Sequence, residues 1–184
     1  MELFDKAKER ERPPSAVDRS QGHTIAYSRT TSSRLMGVLD ANANGNVHGG
    51  VIMRMVDEAA AVVAIKHSHR NVVTARVERF DFLAPAYLGD VVSVHCQLEY
   101  VGRTSMEVGV RVTAEDPLTG EVRHVASSRV IYVALDEHGK PTPVPPLVPG
   151  DEEERTIIER ARLRRQRMQK LEEELARLEE GGST

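Results

Sequence analysis

The chain has 184 residues, of which 40% are hydrophobic and 29% are charged, values ordinary for a globular domain. Its formal net charge of −3 argues against a general nucleic-acid-binding protein, because such proteins carry a basic excess or a basic stripe. The single cysteine, Cys96, excludes a disulfide within the chain, and no Cys/His group has zinc-site spacing. We therefore expect no metal and a small, buried Cys96 side chain.

The N-terminal segment, residues 1–22, is highly charged and contains the Pro13-Pro14 pair. It lacks the apolar central stretch of a signal peptide, and no apolar run in the chain is long enough to span a bilayer. We interpret this segment as a charged N-terminal arm. Together these features favour a cytoplasmic protein.

The next part of the chain predicts a strand, a loop and a buried helix. Residues rich in Ser, Thr and Tyr precede a predicted strand over Ser32–Leu39. Asp40–Gly50 is a predicted loop, since an Asn-Gly pair and paired glycines are strong turn signals. Val51–Lys66 contains neither Gly nor Pro and is apolar nearly all round, which predicts a helix buried on most sides.

Four segments with alternating apolar residues follow this helix, separated by turn signals. The predicted strands are Asn71–Leu83, Val91–Val101, Ser105–Ala114 and Glu121–Leu135. The short connections between the last three imply an antiparallel meander. One antiparallel sheet wrapped around one apolar helix buries the apolar faces of both, so the sequence predicts an α+β domain over residues 23–149.

The C-terminal part, residues 150–184, begins after a proline-rich linker, Pro141–Pro149. A long helix is predicted over Asp151–Glu180, with Asp151 as its cap. Apolar or small residues recur along it with heptad-like spacing for about three heptads, the minimum that indicates a coiled coil. Packing against the chain's own core or against a neighbouring subunit is the interpretation we favour.

The junction between the loop and the central helix is the segment that can carry chemistry. Gly49 and Gly50 stand where the helix begins. A helix N-terminus has unpaired N–H groups and partial positive charge, and glycine lets a ligand approach them closely. This arrangement suits a carbonyl oxygen that becomes an oxyanion.

Asp57 lies two turns into the same helix, on an otherwise mostly apolar segment. A carboxylate there can act as a general base on water or attack an acyl carbon directly. A second interpretation also remains open. Arg54 is placed to form an ion pair with Asp57 and with Glu58, which would make both acids parts of a solvated helix face.

The loop residues Asn42 and His48 also have two interpretations each. Asparagine favours turns, so Asn42, Asn44 and Asn46 can serve only to shape the loop. His48 can be an acid/base group near neutral pH, or a loop histidine that bonds the backbone.

A family resemblance favours the catalytic interpretations. The run Ala41–Gly50, followed by Met55–Ala59, closely resembles the cytosolic acyl-CoA thioester hydrolases. Further matching segments are Val73–Glu78, Phe82–Pro85, Gly89–Val91, Thr104–Val108 and Gly139–Pro145. The resemblance covers roughly residues 23–149, and the charged C-terminal helix matches more loosely.

The resemblance implies a hotdog fold, an antiparallel sheet wrapped around a long central helix, with two hotdogs paired side by side. It implies an acyl-CoA thioesterase acting on medium- to long-chain fatty acyl-CoA, with no cofactor other than the CoA of the substrate. The catalytic pair would be Asn42 of one subunit and Asp57 of the other. A homodimer would be the minimal active unit and a trimer of dimers the expected assembly, without nucleic-acid or membrane partners.

Substrate contacts are expected at two places. The resemblance implies that His48, Gly49 and Gly50 surround the thioester. The CoA phosphates need cations, since charge-assisted hydrogen bonds to phosphate are strong. The candidates for CoA binding are Arg76, Arg79, Arg103, Thr104 and Ser105. For each arginine, an exposed position on a strand face is the competing interpretation.

Three other functions compete with hydrolysis. A hotdog acyl-CoA hydratase or dehydratase would use an acid/base pair, for which His48 and Asp57 are the candidates. A non-catalytic acyl-CoA-binding module would dispense with Asp57 and would usually be joined to a DNA-binding domain, of which the sequence gives no sign. A structural assembly protein would depend on the C-terminal helix instead.

Overall fold

The computed structural model of the chain describes residues 21–181, apart from the side chains of residues 176 and 179–181. Nearly all of the predicted N-terminal arm lies outside the described residues. The elements are α1 (Ile25–Ser28), β1 (Thr30–Leu35), a 3₁₀ turn (Val38–Asp40), α2 (Gly49–Ser68), β2 (Asn71–Phe82), β3 (Val91–Val101), β4 (Ser105–Glu115), β5 (Val122–Leu135) and α3 (Glu152–Gly181). The predicted α+β class is confirmed.

The five strands form one antiparallel sheet in the order β1-β3-β4-β5-β2. The predicted meander of β3, β4 and β5 is confirmed. β2 forms one edge and pairs only with β5. The predicted strand Ser32–Leu39 is wrong at its C-terminal end, where β1 stops at Leu35. There the Asp40 carboxylate accepts hydrogen bonds from the Gly37 N–H at 2.9 Å and from Arg34 at 2.7 Å, which closes the 3₁₀ turn.

The core lies between α2 and one face of the sheet. Alternate residues of β3 and β4 turn to this face, because successive strand side chains point to opposite sides. The fully buried side chains include Val92, Val94, Leu98, Met106 and Val108. Cys96 lies among them and is 1% exposed, and burial raises the pKa of its thiol to about 12. The prediction of a small buried side chain at this position is confirmed.

The central helix α2 buries only part of its surface. Along one stripe, spaced by four residues, Met53, Asp57 and Ile65 are exposed and Ala61 is half-buried. The expectation that the helix is buried on most sides is therefore wrong for this stripe. It lies beside the edge strand β2, since Thr74 of β2 contacts Asp57.

The C-terminal helix α3 lies against the opposite face of the sheet. Asp151 caps it as predicted, accepting from the Glu154 N–H at 2.8 Å. The buried Glu154 carboxylate accepts in turn from the N–H groups of Ile25 and Ala26, at 3.1 and 2.8 Å, and so ties α3 to α1. No helix within residues 21–181 is both long enough and apolar enough to cross a membrane.

An ion-pair network holds the first half of α3 on the sheet. Arg164 bonds Glu99 of β3 at 2.6 Å and also bonds Glu107 of β4. Arg129 of β5 contacts Glu99 at 3.1 Å, and Arg165 lies 3.6 Å from Glu107. Glu107 is only 1% exposed, and three arginines, Arg129, Arg164 and Arg165, surround its carboxylate.

His67, near the end of α2, is fully buried and anchors the proline-rich linker. Its Nε2 donates to the Pro145 carbonyl at 2.9 Å, and its Nδ1 has no described partner. Burial lowers the pKa of His67 to about 4, and the nearby His23 and His69 also lower it. The folded protein therefore holds His67 neutral at pH values where the unfolded chain binds a proton.

A pH-dependent loss of stability follows. Because the folded pKa is below the unfolded value, we expect His67 to remove stability as pH falls from 6.5 to 4, by up to about 3 kcal/mol. A His67→Gln variant should lose this part of the pH dependence in denaturant melts between pH 7 and 4.5. His95→Gln, which removes an exposed histidine, is the matched control. Equal slopes in wild type and His67→Gln would contradict the assignment.

Candidate active site

Asp57 stands at the centre of a small polar cluster between α2, β2 and β5. Its Oδ1 accepts a hydrogen bond from the Thr74 hydroxyl at 2.7 Å and lies 3.1 Å from the Tyr132 hydroxyl. The Tyr132 hydroxyl is also 2.8 Å from the Asp57 carbonyl oxygen. Thr74 and Tyr132 are directly paired in the β2–β5 ladder, so the sheet register places both hydroxyls beside one carboxylate oxygen.

The cluster leaves one carboxylate oxygen available. No residue among those described bonds Asp57 Oδ2, and Asp57 itself is exposed. Tyr132 is 1% exposed, and burial, followed by the negative charge of Asp57, raises the pKa of its hydroxyl. Tyr132 therefore remains a hydrogen-bond donor, and the carboxylate is held in one orientation with its second oxygen open to a water molecule or a ligand.

The ion-pair interpretation of Asp57 is wrong. Arg54 pairs with Glu58 at 2.8 Å, and both side chains are exposed to solvent. Asp57 takes no part in this pair and points to the hydroxyls instead. The two neighbouring acids thus have different surroundings, and only Asp57 is positioned by the sheet.

The N-terminus of α2 is capped by His48. Its Nδ1 accepts a hydrogen bond from the Gly50 N–H at 2.9 Å, which fixes the proton of a neutral ring on Nε2. The interpretation of His48 as a histidine that bonds the backbone is confirmed by this contact. The Gly50 N–H, expected to face a substrate carbonyl, donates to His48 in this structure, and its role at the thioester stays a prediction.

Gly49 is the remaining donor at this helix end. As the first residue of α2, its N–H has no acceptor inside the helix, and no described residue accepts from it. A Cβ added at Gly49 would lie 3.1 Å from the Phe82 ring, a contact tighter than most. Glycine is therefore suited to this position because the end of β2 packs closely against the start of α2.

Asn42 both shapes the loop and lines a cavity. Its Oδ1 accepts from the N–H groups of Asn44 and Asn46, at 2.8 and 3.2 Å, so the turn-forming interpretation is confirmed. Its Nδ2 has no described acceptor. Asn42 and Gly49 line a cavity of about 360 Å³, walled by Phe82 and the segment after it.

Asn42 and Asp57 are not brought together within one chain. Asp57 does not line the cavity that contains Asn42, and no described contact joins the two residues. Asp57 lies eight residues beyond Gly49, a distance of about 12 Å along the helix axis. The two predicted catalytic residues therefore belong to separate places on the same subunit.

The residues predicted to bind CoA are divided between several places. The five residues are Arg76, Arg79, Arg103, Thr104 and Ser105. Arg76 and Ser105 line a cavity of about 630 Å³ beneath α3, where Arg76 pairs with Glu172 at 3.1 Å. Arg79 pairs with Asp81 at 2.6 Å and lines a different cavity. The other two lie between β3 and β4 and line neither cavity, so a common CoA site stays a prediction.

Thr74 and Tyr132 were not among the predicted site residues. Thr74 lies in a segment that matched the family, which was the available signal. Tyr132 is one of several alternating residues of β5 and looks like a core residue. The pairing of β2 with β5, which places both hydroxyls at Asp57, becomes visible only in the fold.

The five-stranded antiparallel sheet around a helix that carries a positioned carboxylate defines a hotdog-fold protein. The profile of the thioesterase superfamily matches residues 44–121. An uncharacterised acyl-CoA thioester hydrolase of Bacillus subtilis is 41% identical over 70% of this chain and 77% of its own. The chain belongs to the acyl-CoA thioester hydrolase family.

The rat cytosolic acyl coenzyme A thioester hydrolase is 36% identical over 74% of this chain. The present chain spans only 36% of the length of that relative. Among solved structures, an apo-hexameric acyl-CoA thioesterase is 40% identical, covers 82% of this chain and 96% of its own, and superposes with a TM-score of 0.78.

An acyl-CoA hydrolase from Staphylococcus aureus, solved with butyryl coenzyme A and coenzyme A, is 31% identical. It covers 88% of this chain and 99% of its own, with a TM-score of 0.75. Alanine variants of that enzyme replace an asparagine, an aspartate 15 positions later and a threonine 17 positions after the aspartate. Asn42, Asp57 and Thr74 have the same two spacings.

Proposed function

We propose that the protein is a thioesterase that hydrolyses medium- to long-chain acyl-CoA to a fatty acid and free CoA. The observation that carries this proposal is the Asp57 carboxylate, exposed on an apolar helix face with one oxygen fixed by Thr74 and Tyr132 and the other open. The matching spacing of the residues replaced in the S. aureus hydrolase supports the same positions.

Asp57 supplies the base or the nucleophile. As a base, its free oxygen takes a proton from water, the water oxygen attacks the thioester carbon, and the carbon–sulfur bond breaks. The proton held by Asp57 then passes to the departing CoA thiolate. As a nucleophile, the carboxylate attacks the thioester carbon, the carbon–sulfur bond breaks to release the CoA thiolate, and water hydrolyses the resulting mixed anhydride. Both routes need a fixed carboxylate, which Thr74 and Tyr132 provide.

The start of α2 stabilises the developing negative charge. The Gly49 N–H points from the positive end of the helix and is the open donor for the thioester oxygen. Gly50 can join it only when His48 turns away from its N–H. The Asn42 Nδ2 group, which lines the same cavity, donates to the water or to the thioester.

A second subunit completes the site. Asp57 lies in the exposed stripe of α2 with Met53 and Ile65, which are 45% and 44% exposed. The edge strand beside it exposes Val73 and Val77, at 47% and 44%. Apolar patches of this kind mark association surfaces. Pairing of two β2 edges would cover the exposed stripe of α2 and the exposed valines of β2. Asn42 of the second copy then meets Asp57 of the first.

Three further assignments belong to the same proposal. Three such dimers assemble into a hexamer, as in the apo-hexameric thioesterase. The protein acts in the cytoplasm, as the name of the rat relative states for that protein. Arg76 and Ser105, in the cavity beneath α3, are the CoA-binding candidates that already share a surface.

The direct test is turnover of acyl-CoA by the purified protein. Free thiol release is measured across an acyl chain series from short to long. We expect saturable hydrolysis with a maximum kcat/KM in the medium-to-long range. Hydration of an enoyl-CoA is measured in parallel, and hydration without thiol release would replace the proposal with the hydratase function. Absence of both, with acyl-CoA binding retained, would leave a binding module.

Removing either hydroxyl that positions Asp57 should lower kcat more than it changes KM. For Thr74→Val and for Tyr132→Phe we expect a loss in kcat of about ten- to a hundred-fold, because a misplaced catalytic group loses about this much. Thr31→Val, which removes an exposed hydroxyl on the far face of the sheet, is the matched control. Unchanged kcat in both variants would show that Asp57 needs no positioning by the sheet.

A further inference from the structure

Phe82 is the largest side chain in the wall of the cavity that contains Asn42 and Gly49. It is the last residue of β2 and is 51% exposed. The tip of its ring, atom Cζ, lies 3.1 Å from the position that a Cβ at Gly49 would take. The ring therefore stands against the first residue of α2, whose N–H is the open donor of the candidate site.

A second aromatic ring holds Phe82 in the cavity wall. Phe80 and Phe82 are two positions apart on β2 and so turn to the same side of the sheet. Their ring centroids are 4.8 Å apart, within the range of favourable aromatic pairs. Phe80 is half-buried and packs against the hydrophobic core. The core thus supports the Phe82 ring through Phe80.

The cavity wall offers little hydrogen bonding beyond its polar end. Seven of the ten residues that line the cavity have apolar side chains. The N–H groups of Leu83 and Ala84 are bonded to the Val125 carbonyl, at 2.9 and 3.5 Å. Pro85 has no N–H group. Amide groups placed against this wall would lose their hydrogen bonds to water without replacement, which is costly. The wall is therefore suited to a hydrocarbon chain rather than to the amide-containing arm of CoA.

The volume of the cavity limits the length of the chain that fits. A dry protein cavity of about 150 Å³ admits a benzene molecule. The cavity beside Phe82 has about 360 Å³, so on the order of ten chain carbons fill it. A longer chain requires a wider cavity, and Phe82 is the side chain that takes up most space in the wall.

We propose that the acyl chain of the substrate lies in this cavity and that Phe82 sets the length accommodated, about ten carbons. This inference rests on the proposed function and deepens it to a preference for medium-length chains. The thioester then lies beside Asn42 and Gly49 of the chain that forms the cavity. In the proposed dimer, the Asp57 carboxylate that acts on it belongs to the second copy. Phe82 is thus a specificity-determining residue.

Binding of S-(2-oxoalkyl)-CoA analogues to the wild type tests the cavity without catalysis. These analogues carry a methylene between the sulfur and the carbonyl carbon, so they contain no thioester to hydrolyse. Isothermal titration calorimetry measures Kd as the chain is lengthened. Each methylene removed from water should lower Kd by up to about four-fold. We expect this fall to end at about ten carbons, when the cavity is full. A Kd that does not depend on chain length would overturn the proposal.

Two substitutions move the wall in opposite directions. Phe82→Ala removes the ring, so Kd should continue to fall for chains longer than those that the wild type accommodates. Ala84→Leu fills the cavity from another part of the wall, so the fall should end about three carbons earlier. An end point equal to that of the wild type in either variant would overturn the proposal.

The control for both variants is Leu118→Ala. It removes a 94% exposed apolar side chain from the turn between β4 and β5, outside the cavity, and should keep the wild-type series. Melting temperatures show that each variant is folded, and Phe82→Leu, a smaller truncation, takes the place of Phe82→Ala if that variant does not fold.

Acyl-CoA hydrolysis by the same variants gives a second measurement. The dependence of kcat/KM on chain length should shift in the same direction as the binding series, whereas a purely structural defect would lower kcat/KM by one factor at every length. Chain-length-dependent binding without hydrolysis by the wild type would defeat the proposed function and keep the assignment of the cavity. Hydrolysis whose dependence on chain length is unchanged in Phe82→Ala would do the reverse.

Discussion

Replacing Asp57 with asparagine is expected to lower kcat for acyl-CoA hydrolysis by about a thousand-fold or more, because the amide can neither accept a proton from water nor attack the thioester. The side chain keeps its size, and its oxygen can still accept from Thr74 and Tyr132. The fold should therefore survive, with a melting temperature close to that of the wild type.

Glu58→Gln is the matched control for this substitution. Glu58 is the next residue of the helix, is exposed and pairs with Arg54, and surface pairs contribute little to stability. Its activity should stay within about two-fold of the wild type, since Glu58 is bonded to Arg54 and takes no part in the cluster that holds Asp57. An Asp57→Asn variant that retained most of its kcat would refute the catalytic assignment.

Isotope labelling tests the nucleophilic route open to Asp57. If the carboxylate attacks the thioester and water then attacks the side-chain carbon of Asp57 in the mixed anhydride, hydrolysis in ¹⁸O-water places an ¹⁸O atom in that side chain over repeated turnovers. If the carboxylate acts only as a base, or if water attacks the acyl carbon of the anhydride, the label enters the fatty acid alone, so label in Asp57 establishes the nucleophilic route. Mass analysis of the peptide that contains Asp57 reads out the difference.

The strands could be predicted because apolar and polar residues alternate within each segment, a pattern that needs no knowledge of distant contacts. β3 begins and ends at the predicted residues, Val91 and Val101, since its apolar residues alternate without interruption. β1 was predicted too long because the bonds that end it run from the Asp40 side chain back to Arg34 and Gly37. A side-chain bond of this kind has no signature in a hydrophobic pattern.

Only those parts of the site that are formed by residues close together in the sequence could be predicted. The spacing of the glycines and Asp57 on one helix is a local feature. Thr74 and Tyr132 reach Asp57 through the pairing of two strands that are distant in the chain. His48 caps α2, although Ser, Thr, Asp and Asn are the usual caps, so its bond to Gly50 was not indicated by residue preferences.

Because Asn42 and Asp57 are separated within one chain, mixing two inactive variants is expected to restore activity. Asn42→Ala and Asp57→Asn chains should each be nearly inactive alone and should regain activity when they are unfolded together and reassembled. In a mixed dimer, one site contains both substitutions and the other contains neither. Random pairing makes half of the dimers mixed, so we expect about a quarter of wild-type activity from a symmetric two-site dimer.

The quarter recovery distinguishes a shared site from a site within one subunit. If each subunit supplied its own Asn42 and Asp57, every chain in the mixture would carry one defect, and activity would stay at the level of the single variants. Asp57→Asn mixed with Asp57→Ala is the control, since no pairing of these chains contains an intact Asp57. Recovery in the first mixture and not in the control requires Asn42 of one copy to act with Asp57 of another, and therefore requires the exposed stripe on α2 to be an interface.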